Sequence, residues 1–187
     1  MGDHNKLLLP FNGKTLIEGA VDTLVAAGVD EVIVVVGYQA HLIKGVLASR
    51  DILIVDNPDY RQGMASSIRA GVAAVSTAAD AIMICLADQP LLEPRDLNRI
   101  MIAMHEARAA GKSIVVPFYQ GRRGNPVMLD AAHKNKMIDT VGDIGCRRII
   151  KQNPDSVYIV EMETDHVVRD VDSTDDYECL LRNAMPQ

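Results

Sequence analysis

The run Asp80–Pro94, DAIMICLADQPLLEP, constrains the fold more than any other stretch of the chain. It reads as an apolar strand that stops abruptly at Ala87-Asp88-Gln89-Pro90. Such a strand delivers a carboxylate to the end of a sheet, where open α/β proteins place their ligands. Glu31–Gly37, EVIVVVG, is a second continuous β-branched run, the pattern of a strand buried on both faces. With no Trp and only two Phe, the core has to be built from Val, Ile, Leu, Ala and the nine Met, which suits a parallel sheet covered by helices.

Strand and helix signals alternate along the chain. Thr15 caps an expected helix with Ile17, Ala20, Val21 and Leu24 on one face, ended by Gly28. A short helix over 40–48 and a strand over Ile52–Val55 follow, then a loop from Asn57 to Gly63. From Ser66 the stripe Ile68, Gly71, Val72, Val75 predicts a helix leading into the strand Ala81–Leu86. Pro94 opens a long helix ended by Gly111, and Ser113–Pro117 is a strand. Beyond it come a Gly- and Arg-rich turn, a strand over Pro126–Leu129, a helix near 130–137 and another over Cys146–Lys151. Val157–Val160 and Val167–Val171 read as short strands, and Thr174–Asn183 as a closing helix capped by Ser173 or Thr174. Alternation of this kind implies one doubly wound, mostly parallel domain spanning residues 1–187.

Several function classes are disfavoured by composition. No apolar run approaches the roughly 20 residues of a bilayer span, and the N-terminus has no secretory-signal pattern, so a cytoplasmic protein is expected. A net charge of −6 argues against non-specific nucleic-acid binding. Cys85, Cys146 and Cys179 are widely spaced and suggest neither disulfides nor a thiolate metal site. No P-loop, GxGxxG or GxSxG is present, and the five histidines have no ligand-like spacing.

Four motifs carry candidate chemistry. Asp88 at its strand end is the kind of oxygen ligand that Mg²⁺ takes together with substrate phosphates, although it could instead cap the turn before Pro90. In Val168–Tyr177, Asp170 and Asp172 share a strand face and either could meet Asp88 at one metal, while Asp172 could instead cap the last helix. Gly63, Met64, Ser66 and Ser67 offer backbone N–H groups and hydroxyls at a helix start, which suits a nucleotide or another anion. Arg122 and Arg123 in the turn Gly121–Pro126 could fork onto phosphate or simply form a solvated basic turn, and Gly142–Arg148, with Arg147 entering a helix, repeats the theme.

Taken in order, KLLLP from Lys6, QGMASSIRAG at 62–71, LADQP at 86–90, GRRGNPV at 121–127, GDIGCRR at 142–148 and DVDSTDDY at 170–177 resemble the molybdenum cofactor nucleotidyltransferases, most nearly the molybdopterin cytidylyltransferases. The resemblance covers nearly the whole chain. It implies a nucleotide-diphospho-sugar transferase fold and a Mg²⁺-dependent reaction joining the nucleotide of CTP to molybdopterin cofactor with release of pyrophosphate. Lys6 matches the phosphate-binding lysine, and Gly63, Met64 and Ser67 the nucleotide pocket. Asp88 matches the metal-binding aspartate and Asp172 the second acidic position, while Arg122, Arg123, Asn125 and Arg147 fall where the pterin phosphate would be held.

The resemblance leaves alternatives. GTP could replace CTP, or a sugar or alcohol phosphate the pterin, and partners would include a molybdenum hydroxylase or its chaperone, with the protein a monomer or weak homodimer. Family members begin with a strand and a glycine-rich loop, LAAGxSxRMG, where this sequence begins at Met1-Gly2. The resemblance therefore implies a sheet missing its first central strand. Either the working protein is longer, or the chain is a weak catalyst or a non-catalytic nucleotide- or molybdopterin-binding chaperone.

Overall fold

The computed structural model describes residues 5–139 and 146–184. Met1-Gly2 and the segment Gly142-Asp143-Ile144-Gly145 lie outside the described residues. After a 3-10 turn over Lys6–Leu8, a small hairpin joins β1 (Pro10–Phe11) to β2 (Lys14–Thr15). Next come α1 (Leu16–Ala26), β3 (Ile33–Val36), α2 (Ala40–Leu47), β4 (Leu53–Asp56) and α3 (Met64–Ala74). The middle of the chain holds β5 (Ala81–Ile84), α4 (Pro94–Ala109), β6 (Ile114–Tyr119), β7 (Arg122–Arg123) and β8 (Val127–Asp130). It closes with α5 (Lys134–Ile138), α6 (Arg147–Gln152), β9 (Val157–Glu161) and α7 (Thr174–Ala184).

Helix starts follow from local chemistry. Thr15 and Glu18 form a reciprocal capping box on α1, with Thr15 N donating to Glu18 Oε2 at 2.9 Å. Ser173 and Asp176 do the same for α7: Asp176 Oδ2 accepts from Ser173 N at 2.8 Å, and Ser173 Oγ accepts from Asp176 N at 3.1 Å. The helix expected from Ser66 begins two residues earlier, at Met64 after Gly63, because Ser66 Oγ turns back to donate to the Gly63 carbonyl at 2.8 Å.

The layered α/β architecture expected from the alternation is present, and its sheet is mixed. β3 pairs parallel with β4, and β6 pairs parallel with β9. β8, however, lies antiparallel between β5 and β6, and β7 folds back on β6. The Gly121 turn reverses the chain with positive φ at Gln120 and Gly121, which places β7 and then β8 antiparallel to β6. Val167–Val171 is not a strand: Asp165–Val168 is a 3-10 turn and Arg169 to Asp172 has no ladder partner. Its Val167 and Val171 are buried in two different clusters, so the valines there anchor a connection.

Helices cover both faces. Ile82 and Ile84 of β5 pack with Ile68 and Val72 of α3, while Ala81 and Met83 point to the opposite face, against Ile100 and Met104 of α4. Val34 and Val36 of β3 pack with Ile17 and Val21 of α1. No described strand joins β3 to β5, so the β3–β4 pair and the five-stranded sheet stand as separate sheets. Between them lies a cavity of about 1220 Å³. No helix among the described residues is long and apolar enough to cross a membrane.

Candidate functional site

The site is organised at the end of β5. Asn5 starts the opening turn by accepting from Leu7 N at 3.1 Å, and Leu7 and Leu8 pack near Ile17, Val36 and Ala87. That packing brings Lys6 to the strand end, where its Nζ donates to Asp88 Oδ2 and to Asp172 Oδ1, each at 2.7 Å. The Asp172 segment is tied in place by its backbone, since Val171 N donates to the Asp88 carbonyl at 2.9 Å.

Two capping roles that the sequence left open are excluded by these bonds. Asp88 Oδ1 is buried with no hydrogen-bond partner, so this carboxylate does not cap the turn at Pro90. Ser173 and Asp176 cap α7, leaving the Asp172 side chain to Lys6. Lys6 feels two opposed effects: burial depresses its pKa most, but the bonds to Asp172 and Asp88 outweigh it and hold the ammonium above its ordinary value.

An orphaned carboxylate oxygen costs about 1–3 kcal/mol when buried, and a divalent cation is a partner that satisfies it. Asp88 is well shielded at 19% side-chain exposure, and Asp172, at 68%, faces solvent from which an ion and phosphates arrive. One inner and one outer carboxylate suit Mg²⁺, which completes its shell with water and substrate phosphates. Among the described residues no group of three or more His, Cys, Asp and Glu forms a cage made by protein alone.

The start of α3 forms the adjoining wall. Gly63, at φ +95°, precedes the helix with no side chain capping it, so the first N–H groups of α3 lack a side-chain acceptor. Lys6, Met64, Ser67 and Asp88 all line the same cavity, as do Gly37 and Tyr60. Asn57, which motif reading passed over, fixes this helix start. It is buried, and its Nδ2 donates to Ser66 Oγ at 2.9 Å and to Ser67 Oγ at 3.0 Å. A buried amide in the loop ahead of a helix carries no distinctive sequence signal.

The arginine turn sits apart from that cavity. Arg122 and Arg123 are successive residues of β7 and point to opposite faces, so they do not fork together onto one phosphate. Arg123 instead lies near Arg147: burial first, and then the charge of Arg147, push its pKa down, with Cys146 opposing. Asn125 N donates to the Val167 carbonyl at 2.8 Å, and buried Gln89 Nε2 donates to the same oxygen at 3.0 Å. Gln89, part of the LADQP motif but given no role by it, links the β5 end to the segment leading to Asp172.

A mixed α/β sheet, a strand-end carboxylate, a lysine beside it and an uncapped helix start define the class of nucleotide-transferring enzymes. The chain belongs to the MobA-like NTP transferase domain family, whose profile matches residues 1–157. It is 34% identical over 185 residues to nicotine blue oxidoreductase of Paenarthrobacter nicotinovorans, covering 97% of this chain and 90% of that protein. It is 24% identical to the molybdenum cofactor cytidylyltransferase of Escherichia coli K12, covering 92% and 84%. The crystal structure of Rv0371c from Mycobacterium tuberculosis superposes with a TM-score of 0.80 at 26% identity, over 96% of this chain and 90% of that one. A manganese complex of Rv0371c superposes at 0.79 and 26% identity, over 96% of this chain and 92% of that one.

Proposed function

We propose that this enzyme is a Mg²⁺-dependent cytidylyltransferase that joins the nucleotide of CTP to molybdopterin cofactor and releases pyrophosphate. The observation that carries the reading is the convergence of Lys6, Asp88 and Asp172, with Asp88 Oδ1 left without a protein partner. Support for the pterin acceptor comes from the ordered motifs and from the Escherichia coli relative named for that reaction. A bound Mg²⁺ would be held by Asp88 and Asp172 and would neutralise phosphate charge. The first amides of α3, with Gly63, Met64 and Ser67, hold the nucleotide; Lys6 balances charge on the pyrophosphate as the pterin phosphate oxygen displaces it from the α-phosphorus. Such transfer relies on positioning and electrostatics. Arg123 and Arg147, with Asn125, receive the acceptor's phosphate, and the enzyme works in the cytoplasm.

A second reading follows from the 34% identity to an oxidoreductase, which exceeds the 24% to the cytidylyltransferase. In it the same scaffold carries out an oxidoreduction of nicotine blue or a compound like it. Pyrophosphate release with CTP and with GTP, each with and without molybdopterin, separates the readings when run on this chain and on an N-terminally extended version. Release that requires CTP and pterin supports the proposal, and preference for GTP moves the base assignment only. No release from either version, with redox turnover of nicotine blue, overturns it.

A further inference from the structure

We propose that Asp96 and His166 are a positioning pair for the metal site, resting on the reading above that Asp88 and Asp172 hold the divalent cation. Their bond fixes the segment that carries Asp172 against the segment that carries Asp88. These two segments are laced at three points. The Asp88 carbonyl accepts from Val171 N at 2.9 Å, Gln89 Nε2 donates to the Val167 carbonyl at 3.0 Å, and Asp96 Oδ2 lies 2.8 Å from His166 Nδ1. As one segment runs forward from Asp88 to Asp96, its partners run backward from Val171 to His166. The carriers of the two carboxylates therefore lie antiparallel, and the Asp96–His166 bond closes the end farther along the chain from Asp172.

Asp96 is built to hold that end. It is buried in the first turn of α4, where the helix dipole favours a negative charge. Three donors reach it: Glu93 N at 2.9 Å and His166 Nδ1 on Oδ2, and Thr164 Oγ1 at 3.2 Å on Oδ1. A carboxylate only accepts, so the histidine donates from Nδ1. Asp96 thus grips the 3-10 turn Asp165–Val168 twice, through Thr164 just before it and through His166 within it.

Other contacts do not replace this grip. Val167 is fully buried and seats the turn, but apolar burial is non-directional and leaves its rotation free. From Arg169 to Asp172 no ladder partner fixes the chain, and the Asp172 side chain, at 68% exposure, has little packing of its own. The placement of Asp172 is therefore set by the turn behind it and by the single Val171–Asp88 backbone bond. A cation shared by carboxylates on two separate segments senses any drift between them. Groups that orient metal ligands without touching the metal contribute roughly 10–100-fold in affinity.

The test is Mn²⁺ binding, followed by electron paramagnetic resonance without nucleotide or acceptor, in wild type, His166→Asn, His166→Gln and Asp172→Asn, each checked for folding by circular dichroism. An Asn side chain sets an amide N–H near the place of Nδ1, and a Gln side chain near that of Nε2. The expected result is affinity lowered by roughly tenfold or more in His166→Gln and largely kept in His166→Asn, with faster amide exchange at Val171 in His166→Gln only. Thr164→Val, a smaller lesion at the same carboxylate, takes the place of His166→Gln if that variant does not fold, and should weaken binding by a smaller factor. Wild-type affinity in the folded lesion, beside weakened binding in Asp172→Asn, overturns the pair and leaves the proposed function standing. Equal losses in His166→Asn and His166→Gln overturn it as well, since the loss then follows the ring's bulk and not its bond. A loss in His166→Asn alone assigns the role to Nε2 and overturns it too. No binding by wild type, or binding that Asp172→Asn leaves unchanged, removes the two-carboxylate site on which both the pair and the proposed function rest.

Discussion

Asp88 and Asp172, distant in sequence, share one ammonium: Lys6 Nζ lies 2.7 Å from Asp88 Oδ2 and 2.7 Å from Asp172 Oδ1. The lysine occupies the side of Asp88 that faces Asp172, while Oδ1 is left without a partner. One carboxylate is thus half committed to the protein and half open to a cation.

Replacing Lys6 with Met leaves the two carboxylates without their shared positive charge. Pyrophosphate release should fall by about 100-fold, the usual scale for losing one charged group that faces a reacting phosphate or oxyanion. The pH dependence of stability supplies a separate check. The folded-state pKa of Lys6 is raised above its ordinary 10.5, so its contribution is complete below that pH and is lost as pH climbs through the folded value. Above about pH 10.5 the wild-type Tm should therefore fall more steeply than that of Lys6→Met; parallel curves would remove the ion-pair account.

His133 predicts the opposite end of the pH scale. It is buried, its Nε2 lies 2.9 Å from Ser113 Oγ, and its Nδ1 has no partner. Burial first, and then the charge of Lys136, depress its pKa below the ordinary 6.5 against the opposing effect of Asp130. A depressed histidine contributes stability above its unfolded pKa, and that contribution is lost as pH falls through the folded value. Chemical denaturation of wild type and His133→Gln below pH 6.5 should show the larger loss in wild type.

Asn57→Ala should destabilise the protein by about 1–3 kcal/mol, since it removes a buried amide and leaves the Ser66 and Ser67 hydroxyls without its donors. Denaturation midpoints measure this, and a change within error would mean that the helix start is held by packing alone.

Gly124→Ala tests the link between the arginine turn and the Asp172 segment. A Cβ on Gly124 would come within 2.5 Å of the Val167 carbonyl oxygen, the atom on which Asn125 N and Gln89 Nε2 converge. The segment has to move, at a cost of about 1–3 kcal/mol, and turnover should drop with stability. A variant with unchanged Tm and turnover would show that this junction does not position Asp172.

What the sequence made legible was local. The Thr15 cap, the strand Ala81–Ile84 that leads to Asp88 and the helix opening at Pro94 each rest on residues a few positions apart. Long-range choices were not legible. The valines of Val167–Val171 suit a strand equally well, but Val167 and Val171 are drawn into separate clusters and no ladder forms. Adjacent arginines look like a fork until β7 puts them on opposite faces. For Asp172 the aspartate pattern allowed metal or cap, and only the competing Ser173–Asp176 box removed the cap. Asn57 and Gln89 gave no signal because their importance lies in partners that the fold supplies.

Asp88 is the residue on which the account stands or falls. The most direct measurement is Mg²⁺-dependent pyrophosphate release from CTP and molybdopterin by wild type and Asp88→Asn, with circular dichroism to establish that both are folded. The account predicts a folded variant whose release drops by at least about 100-fold and does not recover with added Mg²⁺. A folded Asp88→Asn protein with wild-type release and an unchanged Mg²⁺ requirement would contradict it.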